Sequence, residues 1–210
     1  MRLCRCLRAR ATAAGNAPIA RPLRHLPGWG VLAAGLVLAG CSPALDWRAV
    51  QPTGTPLTVW LPCKADQAVR EVPLAGPGAP PVALRMVGCK ADGRTFSVGA
   101  VALPPDGADV GAAAVAAAWI AAWQRAHWAA LGAGVSGGDA PPGWQPVPCL
   151  IPGAVQARCW RGPARDTAGQ LLAAELHWAS DGRWLVQAAV LGESLPPLAH
   201  EQFFGAVRWR

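Results

Sequence analysis

The residues best placed to do chemistry together are Glu175 and His177. They stand two positions apart in LLAAELHWAS, a run whose apolar composition predicts a strand. Because side chains alternate across a strand, both point to one side, where a carboxylate could orient an imidazole for acid–base catalysis. The sequence offers no nucleophile or second positioned group beside this pair. Without one, two such residues are more typical of a polar pair on the surface of a sheet. Catalysis by Glu175 and His177 is therefore the alternative hypothesis.

Other reactive side chains form no catalytic or metal-binding motif in its usual structural context. His127 and His200 lie in neither HExxH nor HxH spacing, so no metal site is predicted. No serine after the first 40 residues lies in SxxK, and residues 134–138 fit GxSxG at Ser136 but open no predicted helix, as a nucleophile elbow would; these serines are Ser42, Ser97, Ser136, Ser180 and Ser194. The glycine-rich residues 134–138 precede no GK[ST]. We expect no cofactor, no metal and no enzymatic activity.

Four cysteines follow Cys41, and they favour disulfides. Four cysteines allow three connectivities. We prefer Cys63 with Cys89 and Cys149 with Cys159, because each pair is close in sequence and lies on strand-like segments. A four-thiolate zinc site is the alternative, although none of these cysteines forms the CxxC pairs that zinc sites favour.

The basic charge of the chain lies mainly in its first residues. Six of the 19 basic residues precede residue 28, and all 12 acids follow Cys41. From Cys41 onward, 13 basic residues therefore face 12 acids, which predicts no nucleic-acid partner.

The amino-terminal segment is typical of a secretory signal. An arginine-rich region is followed by the apolar residues 29–40, too short for the roughly 20 residues of a membrane-spanning helix. Leu38-Ala39-Gly40-Cys41 resembles the lipobox of bacterial lipoproteins, which implies cleavage before Cys41 and acyl chains, including palmitate, on that residue. Ser42 implies delivery to the outer membrane, as in sorted lipoproteins. A plain signal peptide with a chance cysteine is the alternative.

The elements that position these residues follow from periodicity and turn signals. Residues 1–40 are predicted to be the signal peptide, 41–54 a lipidated cysteine and tether, and 55–210 one α+β domain. Strands are expected at 57–61, 70–74, 82–88, 95–103, 145–150, 157–161, 171–180 and 183–191. A long amphipathic helix is expected over 109–131, with Asp109 as N-cap, before a glycine-rich loop at 132–143. A short helix from Pro196-Pro197 through His200 closes the chain.

Two aromatic and turn patterns add detail to that outline. Asp181-Gly182 lies between two apolar runs and predicts a type I′ hairpin. Trp128 lies off the apolar stripe of the long helix and could form an exposed aromatic patch with Trp144, for a glycan, peptide or lipid. Partial burial of both rings against the loop is the favoured interpretation.

Both faces of the predicted hairpin are apolar, so we expect an antiparallel sheet covered by the long central helix on one side and the C-terminal helix on the other. The strand ending in Leu61-Pro62, the Thr95-Phe96 strand, the helix, the Asp-Gly hairpin and the closing Phe203-Phe204 resemble, in that order, the PsbP/Mog1-like α/β/α sandwich. The LDWR sequence after Cys41 resembles small proteobacterial lipoproteins. This resemblance rests on element order, and no site residues transfer with it.

The function expected from these features is that of an envelope lipoprotein. It would be anchored through lipid on Cys41 and face the periplasm, as a non-catalytic binding or assembly accessory with a possible envelope protein partner. The resemblance to PsbP/Mog1-like domains, which generally act as accessories, implies the same class.

Overall fold

The computed structural model describes residues 45–74, 78–105, 111–131, 140–194 and 197–210, with the side chains of 197–199 excepted. Within these residues the fold is α+β, with antiparallel sheets and two α-helices. No described helix combines the length and the apolar character needed to span a bilayer. The expected signal peptide, Cys41, Asp109 and most of the loop expected at 132–143 lie outside the described residues.

The larger sheet has seven strands in the order β3-β4-β5-β9-β8-β7-β6, and every neighbouring pair is antiparallel. Its strands are β3 (Asp66–Val72), β4 (Val82–Ala91), β5 (Arg94–Ala102), β6 (Gln145–Pro146), β7 (Gln156–Arg165), β8 (Leu171–Ser180) and β9 (Trp184–Gly192). Strand β8 has the predicted bounds, because its apolar run is interrupted only by Glu175 and His177. Strand β7 is longer than predicted, and β6 is shorter.

The smaller sheet has three strands in the order β1-β2-β10. They are β1 (Arg48–Val50), β2 (Leu57–Leu61) and β10 (Arg208–Trp209), with β1 and β10 both antiparallel to β2. Part of the segment interpreted from the sequence as a tether therefore forms a strand. It pairs because Leu57, Val59 and Leu61 of β2 are fully buried and anchor that strand to the core.

The two α-helices are α1 (Ala112–Ala130) and α2 (Pro197–Phe203), and a 3₁₀ turn (Phe204–Ala206) follows α2 directly. Alanine-rich composition explains α1, because alanine has the highest helix propensity. The helix begins three residues after the predicted start, with Gly111 rather than Asp109 at the N-cap and no side-chain cap hydrogen bond.

The core has two parts. In one, Ile120, Trp123 and Trp128 of α1 pack with Leu176 and Trp178 of β8. In the other, Phe203 and Phe204 share a buried cluster with residues of β2, β5 and β9. We call these the α1 face and the α2 face.

The hairpin turns differ from the expected type. The β8–β9 hairpin is present, but only Gly182 has positive φ, and the Asp181 carboxylate instead accepts hydrogen bonds from the amides of Arg183 and Trp184. The type I′ pattern occurs at another Asp-Gly pair: Asp92 and Gly93 join β4 to β5 with φ of 49° and 70°.

Two disulfides are present, with the preferred connectivity. Cys63 is bonded to Cys89 and Cys149 to Cys159, with Cα separations of 6.0 and 5.4 Å. The first bridge joins the end of the small sheet to β4, and the second joins the segment after β6 to β7. All four cysteines are thereby consumed, so the zinc alternative is wrong.

Candidate functional site

Glu175 and His177 lie on β8 and face α2. Strand alternation places Leu176 and Trp178 on the α1 face, and therefore Glu175 and His177 on the α2 face. Both side chains are 0% exposed. The surface pairing expected from the sequence is wrong, because α2 and the 3₁₀ turn cover this part of the sheet.

The Glu175 carboxylate accepts hydrogen bonds from three side chains. Oε1 lies 2.8 Å from Nε2 of His177. Oε2 lies 2.7 Å from Nε of Arg161 and 2.6 Å from Nε2 of His200. We call these four residues the Glu175 cluster.

Register and helix spacing bring the two additional partners to the carboxylate. Arg161 of β7 stands directly opposite Glu175, and directly opposite residues share a face of the sheet. His200 lies on α2 one turn before Phe204, whose ring stacks on His177 with centroids 3.8 Å apart and planes 15° apart. The same short segment thus supplies both a hydrogen-bond donor to Glu175 and the ring that covers His177.

The proton positions follow from the acceptor-only character of an ionised carboxylate. His177 must carry its proton on Nε2 to donate to Glu175, which leaves its buried Nδ1 without a hydrogen-bond partner among the described residues. His200 Nε2 also lies 2.5 Å from Nη2 of Arg161. When protonated, this nitrogen donates to Glu175, and when unprotonated it accepts from Arg161.

The cluster keeps the carboxylate charged although it is buried. Burial alone would raise the pKa of Glu175, but hydrogen bonds from His177, His200 and Arg161 outweigh it and lower the pKa from 4.5 to about 2. Burial also lowers the pKa of His177, against the opposing effect of its bond to Glu175. At neutral pH the cluster therefore holds an ionised Glu175 against the charged Arg161.

Access to the cluster is restricted to its outer edge. The Arg161 side chain is 48% exposed and that of His200 15%. Arg161 also lines an open cleft of about 560 Å³ with Gln145, Pro163, Leu171 and Glu193. The side-chain hydrogen bonds of the cluster, within the described residues, include no hydroxyl or thiol, and Cys159 opposite His177 is held in a disulfide.

Metal coordination does not fit this geometry. The imidazole nitrogens that approach Glu175 bond to its oxygens directly and do not converge on a shared point. In the part of the chain that the structure describes, no group of three His, Cys, Asp or Glu residues could hold a metal ion.

His127 lies on the α1 face, away from the cluster. Its Nδ1 accepts a hydrogen bond from the Gln187 amide at 2.9 Å, and burial lowers its pKa from 6.5 to about 4. The burial favoured for Trp128 and Trp144 is confirmed, and they form no exposed patch: the two rings are 1% and 7% exposed, with centroids 4.5 Å apart. Gly162 allows this burial, because a Cβ there would come within 2.5 Å of the Trp144 ring.

Sequence reasoning missed Arg161 and His200 as partners of Glu175. The β7–β8 register carried a signal for Arg161: if the strands pair symmetrically about the turn at 166–170, then Arg161 stands opposite Glu175. His200 shares a helical turn with Phe203 and Phe204, but nothing in the sequence indicates which part of the sheet α2 covers.

No family model, no curated protein and no solved structure matches this chain.

Proposed function

We propose that this protein is an envelope lipoprotein, anchored through lipid on Cys41, whose domain is a non-catalytic binding or assembly accessory facing the periplasm. The observation that best supports the accessory role is the closed Glu175 cluster. Its carboxylate is already engaged by three donors, and its imidazole is covered by Phe204. Such a cluster can fix α2 on the sheet, whereas an acid–base site needs a group that can reach substrate.

The anchor is proposed from the sequence Leu38-Ala39-Gly40-Cys41 at the end of an apolar run. We place the protein at the outer membrane because Ser42 follows the cysteine. Multiple acyl chains on one residue would hold the domain firmly at the bilayer surface.

We also propose that the domain is related to the PsbP/Mog1-like sandwich. The α+β class, the antiparallel sheet and the closing helix with Phe203 and Phe204 support this relation. The three-stranded sheet formed by β1, β2 and β10 is not among the elements on which the resemblance was based.

Replacement of the lipid-accepting cysteine tests the anchor. Cells producing the wild-type chain should yield the processed protein in the membrane fraction. Cys41→Ala should release the protein from membranes or leave it uncleaved. A Cys41→Ala protein that is processed and still sediments with membranes would contradict the anchor.

A periplasmic enzyme that uses Glu175 and His177 is the second candidate. A carboxylate-bound imidazole with an unpartnered ring nitrogen is the arrangement of a general base, and this observation favours it. Carbethoxylation by diethyl pyrocarbonate distinguishes the two functions. The accessory function predicts that native His177 stays unmodified while the partly exposed His200 reacts, whereas rapid modification of His177 would favour the enzyme.

A further inference from the structure

A surface groove next to β1 brings two indoles and a guanidinium together. Trp47, Trp60, Gln202, Ala206 and Arg208 line an open groove of about 360 Å³. It joins the residue before β1, the outer side of β2, the end of α2, and β10. We call it the indole groove.

Trp60 faces outward in this groove because of its place in β2. Its neighbours Val59 and Leu61 are fully buried, so strand alternation directs the indole away from the core. Trp60 is 43% exposed, and the other nine tryptophans of the described residues are buried or half-buried. A single exposed apolar side chain is ordinary, but here the indole of Trp47 lines the same groove, so two indoles lie side by side at the surface.

The length of chain before the groove limits where the groove can lie. The described residues begin at Leu45, four positions after Cys41. Trp47 lies six positions after Cys41, and six extended residues span at most about 22 Å. A lipid on Cys41 would therefore hold the adjoining Trp47 within a short distance of the bilayer surface.

The charges around the groove fit the headgroup region. The Arg208 guanidinium donates to the backbone carbonyls of Gly205 and Val207, and no salt bridge joins it to an acid among the described residues. Its positive charge is therefore free to attract anionic headgroups. Tryptophan is favoured at the membrane–water interface, where its ring is apolar and its N–H can be hydrated.

We infer that the indole groove is a membrane-contacting surface, with Trp60 and Arg208 at the level of the phospholipid headgroups. This inference rests on the proposed anchor, because that anchor brings the groove to the bilayer. It adds an orientation to the proposed function: the small sheet faces the membrane that carries the lipid.

Site-specific photocrosslinking in the full chain tests this surface. Trp60 is replaced by p-benzoylphenylalanine in one variant, and Gln202, which lines the same groove, in a second, so that the test survives if one variant does not accumulate. The control position is Leu171, which is 60% exposed and lines a different cleft. Cells are irradiated and fractionated, and the purified chain is analysed by mass spectrometry for phospholipid adducts and by electrophoresis for protein adducts.

The inference predicts phospholipid adducts at positions 60 and 202 and none at position 171. Protein adducts in place of lipid adducts at 60 and 202 would overturn it in favour of a protein partner or a second copy of this chain. Lipid adducts at all three positions, or at none of them while the chain sediments with membranes, would overturn the surface but leave the anchor intact. A chain recovered in the soluble fraction would overturn both.

Discussion

The two faces of the seven-stranded sheet are covered in different ways. On the α1 face, one helix of 19 residues packs an aromatic cluster on the strands, and the histidine there is bonded to an amide. On the α2 face, the cover consists of strands of 3, 5 and 2 residues and a helix of 7 residues. The Cys63–Cys89 disulfide ties the end of β2 to β4, Cys149–Cys159 ties the segment after β6 to β7, and the Glu175 cluster lies beneath the cover.

The difference shows how short elements can cover a sheet. A long helix buries enough apolar surface in one piece to hold its place, whereas elements of two to seven residues each bury little. Covalent bonds and charge-assisted hydrogen bonds fix the position of such elements without needing a large area. We therefore interpret the disulfides and the Glu175 cluster as the contacts that hold these short elements on the sheet.

Loss of the covalent attachments should have the largest effect. Chain-entropy estimates for separations of 26 and 10 residues give about 3.5 kcal/mol for Cys63–Cys89 and about 2.7 kcal/mol for Cys149–Cys159, or about 6 kcal/mol together. Guanidinium denaturation with and without reductant measures the loss. Titration under denaturing, non-reducing conditions should find no free thiol at these four positions, and four reactive thiols would refute the bridges.

Truncation of the α1-face cluster should have the next largest effect. Trp128 is 1% exposed and contacts Trp144 and Trp178, so Trp128→Ala should lower the free energy of unfolding by about 3 to 5 kcal/mol. Trp60→Ser is the control and should cost less than about 1 kcal/mol, because its ring is exposed. Equal costs for the two variants would contradict the described packing.

Acid should weaken the two faces in different pH ranges. The folded pKa of His127 is about 4 and the ordinary value is 6.5, so the unfolded chain binds more protons between these values and stability falls from pH 6.5 to 4. The folded pKa of Glu175 is about 2 against 4.5, so its contribution is complete above pH 4.5 and is lost towards pH 2. Each of these two effects lowers the free energy of unfolding by about 3 kcal/mol at most.

Matched variants separate the two acid effects. His127→Gln should flatten the stability curve between pH 6.5 and 4, although burial also lowers the pKa of His177 and leaves some slope there. Glu175→Gln should flatten it below pH 4.5. Denaturation midpoints measured across this range check both, and an unchanged curve in either variant would remove that residue from the explanation.

The smallest effect is expected from neutralising the buried carboxylate at pH 7. Glu175→Gln keeps the shape but places an amide donor among the donors of Arg161, His177 and His200. It should cost about 2 to 3 kcal/mol. The exposed Glu201 on the same helix as His200 is the control, and Glu201→Gln should change stability by less than about 0.5 kcal/mol. A cost as small for Glu175→Gln as for Glu201→Gln would mean that the cluster does not hold α2.

The α1 face could be predicted from the sequence more fully than the α2 face. The helical pattern of residues 109–131 and the apolar run of β8, broken only by Glu175 and His177, are local patterns, and they identified the helix and the strand. The stripe they predicted left out Trp128, which is buried. The α2 face depends on contacts between distant segments: β10 pairs with β2, and His200 reaches Glu175. Two-residue and three-residue strands carry no period, so β1 and β10 were not expected.

The candidate site was predicted in the same uneven way. The spacing on β8 predicted that Glu175 and His177 share one face. Their burial depends on α2 and the 3₁₀ turn that cover them, so it could not be inferred from β8 alone. The disulfides were predicted with their pairing because each joins segments close in sequence.

The indoles of Trp128, Trp144 and Trp178 have a spectroscopic consequence. Their centroids are separated by 4.5 and 5.3 Å at angles of 52° and 76°, a geometry in which aromatic transitions couple and give a circular-dichroism couplet. The chain contains no tyrosine, so no phenol band overlaps it. On the α2 face, Phe96, Phe203 and Phe204 absorb weakly. Trp47, Trp184 and Trp209 pack against that cluster, but in the described residues none of them is in ring contact with another indole. The couplet therefore reports the α1 face alone, and its loss ahead of the amide signal would identify the departure of α1 from the sheet as the first step of unfolding.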